Sequence, residues 1–245
     1  MIILGDCLSK LPLIDRGSIN LVVTSPPYNV DLGNNKYNTK GYDIYKDKKS
    51  HSKYISFLSD VFNSIYPLLT DDGRVCINIG DGKNGQVPTT SNLIESMNKM
   101  NYKCYGHIIW DKKHTSNRAA WGSFMSPSCP SFPTPFEHIL IFYKGDKKLQ
   151  RKGITDLTKK EFVKWATSMW EFSGTGNKRH PAAYPLELPL RLIKLLTYVG
   201  DTVLDPFMGS GTTLVAAKML NRKRIGIELS KVYYQEAKNW LKETI

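Results

Sequence analysis

Cysteine is scarce in this chain: four residues in 245 (Cys7, Cys76, Cys104 and Cys129), far apart and with no C-x-x-C pair. That argues against a disulfide scaffold or a thiolate metal site, so no metal is expected, and unpaired thiols suit a reducing compartment. Long apolar runs are missing too; none approaches the ~18 residues of a membrane span. Met1-Ile2-Ile3-Leu4 is too short for a signal peptide and meets Gly5-Asp6 at once. A cytoplasmic protein with no membrane partner is the expectation. Acidic residues are outnumbered, 22 against 34 Lys and Arg, for a formal charge of +12. Such a surplus favours a polyanion, because cationic side chains release counterions condensed on nucleic acid. A merely solvated basic surface is the alternative. Internal repeats are absent.

What is present is strand-helix alternation. Apolar runs at Met1–Leu4, Leu21–Thr24, Val75–Ile79, Tyr105–Trp110, Phe136–Tyr143, Thr202–Leu204 and Arg224–Ile227 read as strands. Leu8–Leu13 reads as a short helical or turn segment. Between Tyr54 and Leu69, apolar residues at Ile55, Leu58, Val61, Phe62, Ile65 and Leu68 have amphipathic helix spacing. Asp71-Asp72-Gly73 then predicts a turn. Further helices are predicted near Ser91–Met100, Pro185–Tyr198, Thr213–Leu220 and Lys231–Leu241, and a solvated charged helix around Thr158–Met169 is one of two readings of that stretch. The alternation implies an α/β fold: a single doubly wound, mostly parallel sheet with helices on both faces.

Three stretches interrupt it. Asn29 to about Ser52 is polar and irregular, the composition of a lid, of a DNA-contacting arm or of a disordered loop. Asp111–Pro135 is rich in Ser, Pro, Asn and aromatics. Lys144–His180 is basic with Trp165, Trp170 and Phe172 interleaved, which suits phosphate contact and base stacking as well as it suits a solvated charged helix.

Two motifs carry chemistry. The first is Thr24-Ser25-Pro26-Pro27-Tyr28 at a strand tip. Both prolines fix φ, lack an N–H and push their predecessors towards extended backbone, so the segment is a stiff spur with uncommitted carbonyls. Those carbonyls and the Ser25 hydroxyl form a row of acceptors, with the Tyr28 ring beside it. A flat heterocycle bearing an exocyclic amine fits that pattern, although a proline turn that merely ends a strand has the same letters. The second motif runs from Asp205 through Pro206, Phe207, Met208, Gly209, Ser210 and Gly211 to Thr212 and Thr213, a strand, a glycine turn and a helix start. Glu228 ends the next strand, 23 residues after Asp205, where an acid can accept from both hydroxyls of a ribose. A P-loop is excluded because no lysine follows Gly211, and a dinucleotide fingerprint because Leu214 stands where its third glycine belongs.

With both motifs in view, the chain resembles the amino-methyltransferases of DNA, which methylate exocyclic amines. Thr24–Tyr28 is similar to their catalytic motif and Asp205–Thr213 to their cofactor motif, and the order, catalytic motif first, is that of the β group. Gly5-Asp6-Cys7 and His180-Pro181 fit the same pattern. The resemblance implies one catalytic domain over residues 1–245, with 112–135 and 145–179 as DNA-recognition insertions. It implies S-adenosylmethionine as cofactor, held by Asp205, Pro206, Phe207, Gly209, Gly211, Thr212, Thr213 and Glu228. Asp6 would contact the adenine amine, although an Asp after a strand is equally a helix cap. Ser25 Oγ and the Pro26 carbonyl would each accept an N–H of the target amine, with Pro27 stiffening the spur and Tyr28 stacking on a base swung out of the duplex.

Ser before Pro-Pro-Tyr is the form common in cytosine-N4 enzymes of this family, whereas Asp or Asn is common in adenine-N6 enzymes. Ser25 therefore points to N4 of cytosine, with adenine-N6 the alternative. Cytosine-C5 chemistry needs a nucleophilic cysteine in Pro-Cys-Gln; Cys129 sits in Ser-Cys-Pro. The implied setting is a restriction–modification system acting on double-stranded DNA. A cognate endonuclease is a partner to look for, and so is a second copy of the chain, since β-group members often pair. An RNA substrate, or a nucleic-acid-binding protein without turnover, stays open.

Overall fold

The computed structural model describes residues 1–29, 49–113, 122–174 and 184–244. Eight strands of these residues lie in one sheet: β1 (Ile2–Leu4), β2 (Ile19–Thr24), β3 (Leu69–Ile79), β4 (Lys103–Asp111), β5 (Phe136–Tyr143), β6 (Met169–Glu171), β7 (Thr202–Asp205) and β8 (Lys223–Glu228). Their order across the sheet is β1-β8-β7-β2-β3-β5-β4-β6. Every neighbouring pair is parallel except those made by β5, which runs against both β3 and β4. The expected doubly wound, mostly parallel α/β sheet is what forms.

Among the described residues, seven α-helices flank it: α1 (Cys7–Lys10), α2 (His51–Ile65), α3 (Thr89–Lys99), α4 (Lys159–Trp165), α5 (Glu187–Leu196), α6 (Thr212–Met219) and α7 (Lys231–Glu243). The apolar residues of β2 divide between two cores. Val22 packs with Leu58, Phe62 and Leu93 from α2 and α3. Leu21 and Val23 pack on the other face with Leu188, Leu192, Ile193 and Leu196 of α5. A strand covered on both faces has no solvent side to make polar, which is why it reads as an unbroken apolar run.

From β2 the chain passes through α2 to β3, on one side; from β7 it passes through α6 to β8, on the other. The β2–β7 boundary is therefore the switch point of the sheet, where a crevice opens beyond the carboxyl ends. The two sequence motifs follow these two strands.

Three local expectations change. The turn at Asp71-Asp72-Gly73 lies inside β3, absorbed as an irregularity between the Ile19–Leu69 and Leu21–Arg74 pairs. Gly73 permits it, since a Cβ there would sit 2.9 Å from the Thr70 carbonyl oxygen. Residues 51 and 52 belong to α2 rather than to the irregular loop, because Ser50 caps the helix and accepts from the Lys53 N–H. The charged helix that is one reading of Thr158–Met169 forms but stops at Trp165. Beyond it the Ser168 carbonyl accepts from the Ile109 N–H at 2.9 Å and β6 adds to the sheet edge. Pairing there satisfies backbone groups that a frayed helix end leaves open. Most of the irregular 29–52 stretch and the His180-Pro181 pair lie outside the described residues.

The basic segment after β5 has a defined place. Gln150 N–H bonds Asp72, Arg151 pairs with Asp201 at 2.8 Å, and Asp156 takes both terminal nitrogens of Arg222 at 2.6 and 2.8 Å. These partners sit where β3, β7 and β8 begin, so residues 150–156 strap the rim of the sheet opposite the crevice. Among the described residues, no helix is long and apolar enough to cross a membrane.

Candidate active site

The two motifs meet at a buried joint. Leu21 and Val22 of β2 pair with Val203 and Leu204 of β7, which brings the strand tips level. There the Thr24 hydroxyl donates to Asp205 Oδ1 at 2.7 Å. The Phe207 N–H donates to the same oxygen at 3.1 Å and the Tyr184 hydroxyl to Oδ2 at 3.3 Å. Asp205 is buried, and burial pushes its carboxyl up to about 6 against the opposing pull of these donors. These bonds tie spur and loop to the segment that leads into α5. Thr213 does the same from α6, its hydroxyl reaching the Val23 carbonyl at 3.3 Å and touching Tyr184. The Thr213 side chain is thus turned inward, away from the crevice.

Beyond Asp205 the loop is shaped by its backbone. Pro206 and Met208 are buried, and Phe207 is half-buried against Phe57 of α2 at a centroid distance of 6.1 Å. Gly209 and Gly211 have φ of +51° and +93°. The left-handed conformation at Gly211, with Ala237 of α7 3.0 Å from where a Cβ would stand, admits glycine alone without strain. Gly211 is also the N-cap of α6 and supplies no side-chain cap, so the first turn, opening at Thr212, keeps its N–H groups for an anion.

Glu228 lies half-buried at the end of β8. Its two oxygens accept from Gly209 N–H at 2.9 Å and Ser230 N–H at 2.8 Å, and burial shifts its carboxyl upward. These bonds aim the carboxylate and leave it further lone pairs. Leu4 pairs with Glu228 across the neighbouring strand, which places Asp6 just past that rim. Asp6 is exposed and caps α1, accepting from Ser9 N–H at 3.3 Å.

On the spur, Pro26 is buried while Ser25, Pro27 and Tyr28 are half-buried. The Ser25 hydroxyl donates to the Tyr28 oxygen at 3.0 Å, and Tyr28 donates to Glu137 Oε2 at 3.0 Å.

A proline spur and a glycine cradle thus share one crevice at the switch point, and the model of the N6/N4 DNA methylase family matches residues 19–239. The chain belongs to that DNA methylase family. It is 34% identical over 264 aligned residues to the type II methyltransferase M.MjaI of Methanocaldococcus jannaschii, covering 94% of this chain and 87% of that one. A second methyltransferase of that organism, M.MjaVI, is 36% identical over 163 residues, covering 66% of this chain and 80% of its own. Among solved structures, a putative DNA modification methylase from Thermus thermophilus, complexed with S-adenosylmethionine, aligns with a TM-score of 0.77. That pair shares 27% identity over 99% of this chain and 93% of the other. The cytosine-N4-specific PvuII DNA methyltransferase shares the fold at a TM-score of 0.71 with 19% identity.

Four residues of this methylase's site escaped the sequence reading. Tyr184 braces Asp205 from the start of the α5 segment. Asn78, in β3, donates through Nδ2 to Glu137 Oε2 at 2.6 Å and to the Tyr28 oxygen at 3.1 Å. Glu137 opens β5 and pairs through Oε1 with Lys112, just beyond β4. Two signals were available: an Asn within the apolar run Val-Cys-Ile-Asn-Ile, and an acid heading the strand Phe-Glu-His-Ile-Leu-Ile-Phe.

Proposed function

We propose that this methylase transfers a methyl group to the exocyclic N4 of a cytosine swung out of double-stranded DNA, as the modification enzyme of a restriction–modification system. The observation that carries the reading is the Thr24–Asp205 joint, which sets Ser25 and the glycine loop side by side at the switch point. Bound S-adenosylmethionine supplies an electrophilic methyl on a sulfonium. The residues present fit such a ligand. Glu228 offers a carboxylate for paired hydroxyls, Gly209 and Gly211 admit close backbone approach, and the uncapped start of α6 at Thr212 suits a carboxylate. Asp6, on the adjacent strand end, has one oxygen engaged in capping and another for an adenine amine.

An exocyclic amine is a poor nucleophile, since its lone pair is delocalised into the ring. Ser25 Oγ and the Pro26 carbonyl, taking one N–H each, favour the pyramidal nitrogen whose lone pair points outward. That help counts to the extent that it strengthens in the transition state. Ser25 supports N4 of cytosine as the target. The type II names of the methanogen relatives support the restriction–modification setting, and the net charge of +12 supports a nucleic-acid substrate. DNA contacts are proposed for residues 112–135, which leave and re-enter the sheet at the crevice, and for the chain following β6.

The test is incubation with methyl-labelled S-adenosylmethionine and duplex DNA from a methylation-deficient bacterial host, followed by nucleoside analysis. N4-methylcytosine is the expected product. N6-methyladenine would transfer the proposal to adenine, label found only in added RNA would move it to another substrate, and no label at all would end it.

A further inference from the structure

We propose that Glu137 is the terminus of a proton wire that leads from the target amine through Ser25 and Tyr28. The proposal rests on the amino-methyl-transfer reading above and adds what that reading leaves out, the destination of the proton the nitrogen must lose.

The wire is made of side chains from the spur after β2 and from β5, with Asn78 of β3 beside it. Ser25 Oγ donates to the Tyr28 oxygen at 3.0 Å, and Tyr28 donates to Glu137 Oε2 at 3.0 Å. Both steps lie within the reach of direct proton transfer. The direction is fixed by Asn78, whose side chain is buried. Its Nδ2 is a donor only, and it points at both Glu137 Oε2 (2.6 Å) and the Tyr28 oxygen (3.1 Å). Turning the amide over would set its carbonyl oxygen against a carboxylate, a repulsive contact. With Asn78 so oriented, the Tyr28 oxygen accepts from Asn78 and from Ser25, and its single proton goes to Glu137. Lys112 occupies the other carboxylate oxygen, leaving Oε2 to the wire. Ser25 Oγ then has its proton committed inward and a lone pair for the substrate.

The step balances. As the new N–C bond forms and the methyl leaves sulfur, the nitrogen becomes cationic and one N–H bond breaks. That proton passes to Ser25 Oγ while Ser25 hands its own to the Tyr28 oxygen and Tyr28 hands its own to Glu137. Glu137 ends as a neutral acid and Ser25 and Tyr28 end unchanged. The Glu137 side chain is 12% exposed, so its proton reaches water after the product departs. Glu137 touches no substrate atom and acts through its neighbours as a positioning and proton-accepting residue.

The test measures single-turnover methyl transfer from labelled S-adenosylmethionine to the duplex DNA used above, with cofactor and DNA dissociation constants measured in parallel. Glu137→Gln is expected to slow transfer about 100-fold near neutral pH, within the usual range for a lost proton acceptor, while both dissociation constants stay unchanged. The deficit is expected to shrink as the pH rises and hydroxide takes the proton instead. Tyr28→Phe keeps the stacking ring and breaks the same wire, so it is expected to show a loss of similar size with the same pH trend. The double variant is expected to fall no further than either single, because the path is already cut. If Glu137→Gln loses cofactor binding through misfolding, Tyr28→Phe and its pH profile decide alone. A wild-type rate in either folded variant, or losses that multiply in the double, overturns the wire while leaving methyl transfer standing. Absence of transfer by the unaltered protein overturns both.

Discussion

Two loops leave the sheet at the same switch point and are built on opposite plans. The loop after β7 is stiffened from within. Its acid, Asp205, is buried and bonded to Thr24, Phe207 and Tyr184, its glycines adopt left-handed backbone, and N–H groups shape the ligand side. The spur after β2 is stiffened by proline, but its functional oxygens are held by side chains on strands to one side, Asn78 on β3 and Glu137 on β5. The turn of a cradle for a constant ligand can be shaped by main chain; a site that must control a proton needs titratable neighbours. Under the proposed function, the difference separates the tasks of binding and chemistry onto different loops.

Substitutions should therefore split by loop. The largest effect is expected for Ser25→Ala: transfer falls about 100-fold or more, the size seen when one aligned electrostatic contact is lost, while calorimetric titration shows S-adenosylmethionine binding intact. Full rate in that variant would remove the acceptor role from Ser25. Glu228→Gln should do the reverse. Weakening charge-assisted bonds to hydroxyls costs about 1.5–3 kcal/mol, so cofactor affinity is expected to drop about tenfold or more, with transfer at saturating cofactor near the unaltered rate. A variant that lost rate but kept affinity would undo the division of labour.

The smallest effect is one of pH. Asp205 titrates near 6 in the fold, raised from 3.8, so the native state holds its proton more tightly than the unfolded chain. Stability from this group is therefore greatest below about 4 and is lost as pH rises through 6. Urea unfolding should show a contribution of about 1 kcal/mol per pH unit within that window, absent in Asp205→Asn. An unchanged pH dependence in that variant would mean that the joint carries no buried charge.

Much of this architecture was readable in advance, for local reasons. Strands buried on both faces announce themselves as apolar runs, Pro-Pro and Gly-x-Gly dictate backbone wherever they occur, and the two motifs flank parallel strands whose tips must lie at one rim. The unread part is nonlocal. Nothing in Phe136–Tyr143 says that β5 runs against its neighbours, and only that reversal delivers Glu137 to the crevice, 109 residues from its partner Tyr28. Asn78 and Tyr184 likewise matter through what stands opposite them. The Asp71–Gly73 turn and the helical reading of Thr158–Met169 beyond Trp165 failed because sheet pairing offered those backbones better partners than local preference did.

The reversed strand has an engineering consequence. Because β4 ends and β5 begins at the same rim, the segment between them hangs from a pinch, with the Lys112 N–H bonded to the Pro135 carbonyl at 3.1 Å. Lengthening such a hanging segment costs only slowly growing loop entropy and leaves every strand pair untouched. If the proposed DNA contacts of this segment hold, it is the place to graft a foreign one when retargeting the enzyme to a different stretch of duplex.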